Sequence, residues 1–318
     1  MVRLFKRDID FLSHRRIFFV VSITLVVISL AALLVRGLNF SIEFVGGTSI
    51  SFTETGETTT EQMREAFEAQ GVEAPIVQTT IDSAGIAGFV VRTAETDAAA
   101  ASAIADEVAA NLALDSSAFQ VTTIGPGWGS EVTRTSMIAF FVALGFIILL
   151  IALRFEYKMG FVAVLTLIHD LIIVLGVYAL FAREVTPNVV AALLTIMGYS
   201  LYDTVVVFHR IKDNMASAAR HSFITVANHS VNQVLMRTVN TTLSSLVPVL
   251  AMLLFGGETL KDFAFAMTVG LVLGSASSIA LAAPLYALWK QREPKYRKLY
   301  KKYGEGVGVF TTAEDLSD

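Results

Sequence analysis

Hydrophobic positions in this chain gather into six long runs, separated by short polar breaks and by one break of about a hundred residues after the first run. The runs, at about 17–35, 135–153, 160–181, 189–209, 239–256 and 263–289, each approach the roughly twenty apolar residues that a helix needs to cross a hydrocarbon core. The first follows a basic segment, RLFKRDIDFLSHRR, and invites confusion with a signal peptide. Its apolar stretch is longer than a usual h-region, however, and ends in LLVRG without a small-x-small exit. It therefore reads as a retained span, and six spans place both termini on one side.

Within the long break the pattern changes period. TSISFTET and FVVRT alternate apolar and polar residues as half-buried strands do, and IVQTTI and FQVTTI follow more loosely. TTTEQMREAFEAQG predicts a helix opened by a capping box, either Thr59 with Gln62 or Thr58 with Glu61, and stopped at Gly71. DAAAASAIADEVAANLAL predicts a second helix capped by Asp97. The order β-α-β-β-α-β is that of a ferredoxin-like split βαβ unit. The segment has no histidine and no Gly-rich phosphate loop, which favours a binding or mechanical role over catalysis.

Composition agrees with a bilayer as solvent: 54% of the residues are hydrophobic and 16% charged. No cysteine is present, so disulfides, thiolate metal ligands and thiol nucleophiles are excluded. Lysine and arginine set the orientation, because cytoplasmic loops retain them. Residues 1–16 hold five, 154–160 two, 210–238 four and the tail from 290 seven, whereas the other side has six, at Arg36, Arg64, Arg92, Arg134, Arg183 and Lys261. Both termini are thus expected in the cytoplasm. The organisation that follows is a cytoplasmic segment 1–16, a transmembrane helix 17–35, an exported domain 36–134, a five-helix bundle 135–289 and a basic cytoplasmic tail 290–318. Within the bundle, residues 210–238 read as a cytoplasmic segment of one or two amphipathic helices lying on the membrane surface. The tail is expected to sit against anionic head groups, with its end disordered.

Polar residues inside the spans carry the candidate chemistry. In the fourth run, Thr195, Tyr199 and Asp203 are spaced by four with Ser200 and Thr204 beside them, so they share a face turned to protein. In the fifth, Arg237, Asn240, Thr241, Ser244 and Ser245 form a polar stripe on an apolar helix. The third adds Thr166, His169 and Asp170, with Asp170 about 15 Å from the cytoplasmic end at roughly 1.5 Å per residue. Charges at membrane depth usually mark ion or proton routes. Burial disfavours an ionised carboxylate and a nearby arginine favours it, so an Asp whose distance from Arg changes can take up and release a proton. The plainer alternative is a static Asp203–Arg237 pair with stripes that hydrogen-bond between helices. His169 reads more simply as a histidine satisfied by its neighbour. Adjacent on one helix, His169 and Asp170 are expected to point to different faces.

The glycines divide by context. Gly270, Gly274, Ser278 and Ala282 recur every four residues in the last run, a spacing that lets helix backbones approach closely. Gly46 and Gly47, between the first span and the exported domain, permit positive φ and read as a hinge or as a plain turn. Gly256 and Gly257 end the fifth span. Nothing in the spans has the spacing of a protease or metal site.

With these elements in place, NFSIEFVGGT, IGPGWGSEV, RFEYKMG, LIHD, GYSLYDTVVVFHRIKDN, VNQVLMRTVNTTLSSL, LFGG and VLGSASSI, in this order, resemble the SecF family over nearly the whole chain. SecF proteins are the smaller membrane subunits of the bacterial SecD–SecF accessory complex, related to the RND transporters. The resemblance implies a polytopic α-helical membrane protein of six transmembrane helices, an RND-like half, with an exported α+β ferredoxin-like domain in the bacterial inner membrane. It implies pairing with SecD, association with the SecY–SecE–SecG channel, a functional link to SecA, contact with the translocating preprotein and with membrane lipid, and no nucleic acid. It implies no enzyme activity and no cofactor, with protons as the coupling ion, and places Asp203 and Arg237 in proton flow. At the end of the fourth run the family commonly has FDRI or SDRI where this chain has FHRI, so His209 either titrates in the path or is an exposed interfacial residue. Rival functions are a small-molecule or lipid exporter half and a purely structural assembly subunit.

Overall fold

The computed structural model describes residues 8–304, apart from 54, 56–57, 74, 82–86, 96, 115–118 and 218–220. Six helices among them are long and apolar enough to cross a membrane. In chain order the elements are α1 (Arg15–Arg36), β1 (Asn39–Phe40), α2 (Ile42–Val45), β2 (Gly47–Phe52), α3 (Thr60–Ala69), β3 (Ile76–Ile81), β4 (Ala87–Thr93), α4 (Ala98–Asn111), β5 (Phe119–Ile124), α5 (Pro126–Arg154) and α6 (Tyr157–Leu180). There follow β6 (Glu184–Val185), α7 (Pro187–Ser217), α8 (Phe223–Phe255), α9 (Glu258–Ser277), a π-helical turn over Ser278–Ala282, α10 (Ala283–Gln291) and α11 (Pro294–Tyr303). The last span runs through α9, the π turn and α10 as one rod. The part of the tail expected to be disordered lies outside the described residues.

The inserted domain is the split βαβ unit. Its sheet has the order β3-β4-β2-β5 with every neighbour antiparallel. Alternate strand residues, Ile50, Phe52, Phe89 and Val91, face one side, where Met63 and Phe67 of α3 and Ala105, Val108 and Ala109 of α4 cover them. Of the two capping boxes open in the sequence, Thr59 with Gln62 forms: each side chain accepts from the other residue's backbone amide. Gly71 follows at φ 81°, and the Asp97 carboxylate accepts from the Ala99 amide at 2.9 Å.

Residues 210–238 depart from expectation. They do not form separate helices; α7 continues to Ser217, and α8 starts at Phe223 and runs unbroken into the fifth span. The reason is burial that one-dimensional polarity conceals. Every residue from Phe223 to Val231 is buried, beneath Tyr286, Tyr296 and the segment that precedes α1. Asn228 holds that segment by accepting from the Phe11 and Leu12 amides and donating to the Ile9 carbonyl.

Small residues set the helix spacing. A Cβ added at Gly270 would lie 2.3 Å from Ile196 Cδ1, and one at Gly274 2.9 Å from Ser200 Cβ, so α9 packs against α7 at a separation only glycine allows. Gly176 does the same for α6 against Ser29 of α1. At the end of the bundle that carries the termini, Glu293 joins Lys158 at 2.8 Å and Lys290 at 3.1 Å, fastening α11 to the third and last spans. The two lysines, Lys158 foremost by its hydrogen bond, hold the Glu293 carboxyl below the usual carboxylate range.

Two outcomes are expected. Gly270→Val overpacks the α7–α9 contact and lowers stability by about 1–3 kcal/mol, visible as a lower melting temperature of the purified protein. Because Glu293 titrates lower in the folded protein than its ordinary 4.5, its contribution is present above pH 4.5 and lost as pH falls through the folded value. Trp289 fluorescence in a Trp128→Phe background should report this loosening in acid, and should report it at neutral pH in Glu293→Gln.

Candidate functional site in the spans

A cavity of about 330 Å³ lies between α7, α8 and α9. Its polar wall is the pair of stripes legible in the sequence: Tyr199, Ser200 and Asp203 from α7, and Asn240, Thr241 and Ser244 from α8, with Gly270 and Gly274 at its back. Helical spacing brings each stripe to one face, and the glycines hold α9 flat behind them. Asn240, Thr241 and Ser244 are nevertheless exposed, so the cavity opens sideways from the bundle.

Asp203 is half-buried and makes neither a hydrogen bond nor an ion pair among the described residues. The static Asp203–Arg237 pair is therefore not what this conformation contains. Arg237 donates instead to the Tyr202 hydroxyl and stands 5.4 Å from that ring's centroid. Tyr202 was not singled out in the sequence. Its position beside Asp203 was visible, but its tie to an arginine 35 residues away was not.

Asp170 is the opposite case. Its side chain has no exposure, and Oδ2 accepts from Ser200 Oγ of α7 at 2.6 Å and from Ser277 Oγ of α9 at 2.8 Å. Oδ1 meets His169 Nδ1 at 2.9 Å, and His169 Nε2 meets Ser22 Oγ of α1 at 2.5 Å. The expectation that His169 and Asp170 point apart is corrected: their side chains span the angle between neighbouring helix positions, and Ser22 fixes the far ring nitrogen. Four spans thereby share one carboxylate network. Ser200 belongs to both sites, since it lines the cavity and donates to Asp170. Thr166, one turn away, is fully buried with its hydroxyl unpaired among the described residues. Ser278 sits at the π turn, bonded to Thr204 at 2.8 Å. His209 is exposed and 3.8 Å from Asp213.

Gly46 and Gly47 have φ of 79° and 109°. Gly46 closes the single turn of α2 through its amide to the Ile42 carbonyl, and a Cβ at Gly47 would stand 2.4 Å from the Thr93 carbonyl oxygen. In this conformation the pair is a tight, packed turn. Nearby, Arg92, only 5% exposed, donates to the Phe40 carbonyl and Asn39 Oδ1 and pairs with Glu184 at 3.3 Å. Burial pushes the Glu184 carboxyl up, and Arg92 opposes it. Parallel pairing of β1 with β6 reinforces this junction between domain and bundle.

Six spans with a polar cavity at membrane depth, and a ferredoxin-like domain inserted after the first, define a multi-pass membrane protein of the RND-like transport class. Residues 104–292 match the family model of the protein export membrane protein SecD/SecF, C-terminal, and residues 31–53 match the SecD/SecF GG motif. The chain belongs to the SecD/SecF family. It is 34% identical to protein translocase subunit SecF of Streptomyces coelicolor over 97% of this chain and 85% of that protein. To protein translocase subunit SecDF of Thermus thermophilus it is 36% identical, over 86% of this chain and 38% of that longer protein. The crystal structure of SecDF from the same organism, described as a translocon-associated membrane protein, superposes with a TM-score of 0.82 at 32% identity, over 92% of this chain and 40% of that one.

Removing the shared acceptor tests the buried network. Asp170→Ala leaves Ser200, Ser277 and His169 without it and should cost about 1–3 kcal/mol for each group left unsatisfied, whereas Asp170→Asn, keeping one carbonyl oxygen, should cost less. Thermal unfolding of the purified protein reads the order.

Proposed function

We propose that this chain is the SecF-type subunit of the Sec translocase accessory complex and uses the proton motive force to draw preproteins across the bacterial inner membrane after the ATP-driven SecA step. The observation that carries this reading is the Asp203 carboxylate, unpaired among the described residues in a cavity between spans, with Arg237 parked on the neighbouring Tyr202. The movement this reading requires is a shift of Arg237 from Tyr202 to Asp203. Its approach would favour the ionised carboxylate and its retreat the protonated one, so proton binding and helix movement are linked. Each charge carried through the full potential supplies about 2.3 kcal/mol per 100 mV.

Ser200 extends the route from the cavity to Asp170 and His169. The sideways opening, lined by exposed Asn240 and Thr241, is poorly suited to lipid. It suits a polar face of SecD, with the SecY–SecE–SecG channel as the wider partner. Basic residues at the terminal end support a reading with both termini in the cytoplasm and the inserted domain on the exported side, where it would contact or position the emerging chain. The domain's junction through Arg92 and Glu184 would transmit movement of the bundle.

Export of a secreted reporter into energised vesicles containing matched SecD and channel tests the reading. Asp203→Asn and Arg237→Met should assemble normally and lose the protonophore-sensitive part of export while retaining the SecA-driven part. Wild-type export by both variants, or collapse of the complex, would make the cavity scaffolding.

A further inference from the structure

One histidine that the proton reading does not use is built into the terminal end of the bundle. His229 of α8 is 6% exposed. Its Nδ1 lies 2.6 Å from Asp8 Oδ2, and its Nε2 lies 2.8 Å from Gln233 Nε2, one turn further along the helix. The Gln233 oxygen accepts in turn from Arg210 Nε and, at 2.8 Å, from Asn214 Nδ2, both on α7. Gln233 is therefore a bridge between α7 and α8, and Asn214 adds a second strut to Ser230 at 2.8 Å.

Hydrogen-bond roles in this chain are fixed from one end. A guanidinium has no acceptor, so the group facing Arg210 must be the amide oxygen of Gln233. The Gln233 NH₂ then faces His229 and needs an acceptor there, which makes Nε2 unprotonated and puts the ring proton on Nδ1, toward Asp8. The tautomer follows from the network. A second proton on the ring makes Nε2 a donor pointed at a donor. Turning the Gln233 amide relieves that clash but presents its NH₂ to Arg210 and Asn214. Either way a bond is lost at the α7–α8 bridge.

We infer that His229 is a proton-operated switch: neutral, it lets Gln233 tie the terminal end of α8 to α7, and protonated, it releases that tie. Arg237 lies one turn beyond Gln233 on α8, and Asp203 lies on α7. Release would thus change the spacing of the two helices that carry them, a consequence that rests on the proposed role of Asp203 and Arg237. Sequence reasoning considered His209 for the terminal end, but His209 is exposed and turns to Asp213 and the Phe155 ring, not to Gln233. Besides Asp8 and Arg210, Asp10 is engaged with the Ser13 amide, Arg15 with the Leu12 carbonyl, Asp213 of α7 with His209, Arg237 of α8 with Tyr202, and Lys290 with Glu156 and Glu293, while Lys212 of α7 is exposed. The basic side chains of α11 are exposed, His221 precedes α8, and three more cations, in residues 1–7, lie outside the described residues.

The cysteine-free chain makes a direct test practical. Spin labels on cysteines at exposed Lys212 of α7 and Val239 of α8, in the full-length protein in lipid vesicles, report the interhelical distance as pH is lowered from about 8 to 5, the range in which histidine titrates. The wild type should gain a longer-distance population in acid. His229→Gln, which can still accept from Gln233 and donate to Asp8, should hold one distance at every pH. Gln233→Glu should also stay closed, because a carboxylate accepts from Arg210, Asn214 and a protonated His229 together. No change in the wild type, or a change that survives in His229→Gln, overturns the proposal. A response abolished by Asp203→Asn would assign it to the cavity aspartate and also overturn it. A response retained in Asp203→Asn keeps the switch even where export shows no proton dependence, so the two readings fail separately.

Discussion

A carboxylate without exposure, far from water, has to find its hydrogen bonds in protein, and the bundle is arranged around that requirement at Asp170. Ser200 and Ser277 come from different spans yet donate to the same oxygen. They can do so because Gly270 and Gly274 leave no side chain between α7 and α9, with Ile196 and Ser200 filling the space. The π turn begins one residue after Ser277, where Ser278 bonds back to Gly274 and across to Thr204. Packing and polar satisfaction are the same feature seen twice: the small residues allow the approach, and the hydroxyls make it specific. A π turn at such a place fits the tendency of these irregularities to occur where a helix carries function.

Two aspartates in one bundle are thus treated in opposite ways. Asp170 is saturated by three side chains and joins four spans. Asp203, about one turn beyond Ser200 on α7, is left facing a cavity with Arg237 turned to Tyr202. Fixed donors hold the first carboxylate in one place, and the second has room to change partners. Ser200 belongs to both, lining the cavity and donating to Asp170.

Movement in the bundle would reach the inserted domain through a short, stiff connection. The paired glycines form a packed turn, and Arg92 grips the backbone before it and the Glu184 carboxylate on the far loop. A buried ion pair of this kind contributes little net stability but is costly to break on one side. It is suited to fixing an orientation. At the other end, the Lys158–Glu293–Lys290 cluster and the His229–Gln233 bridge fix the helix termini in the same manner.

The sequence alone determined what depends on local period and composition. Six apolar runs, the strand and helix order of the inserted domain, the polar stripes through Asp203 and Asn240, and the four-residue spacing of Gly270, Gly274 and Ser278 were legible because each is a repeat along a single element. Tertiary structure decided everything that joins elements distant in sequence. Residues 223–231 looked polar enough for a membrane surface and are buried, because the segment before α1 returns to cover them. Arg237 bonds to Tyr202 rather than to Asp203, His169 turns onto Asp170, and His229 meets a partner 221 residues away. Periodicity states which face a side chain occupies, but its partner is set by how helices pack and by which rotamer the donors around it permit. No pattern along one chain segment contains that information.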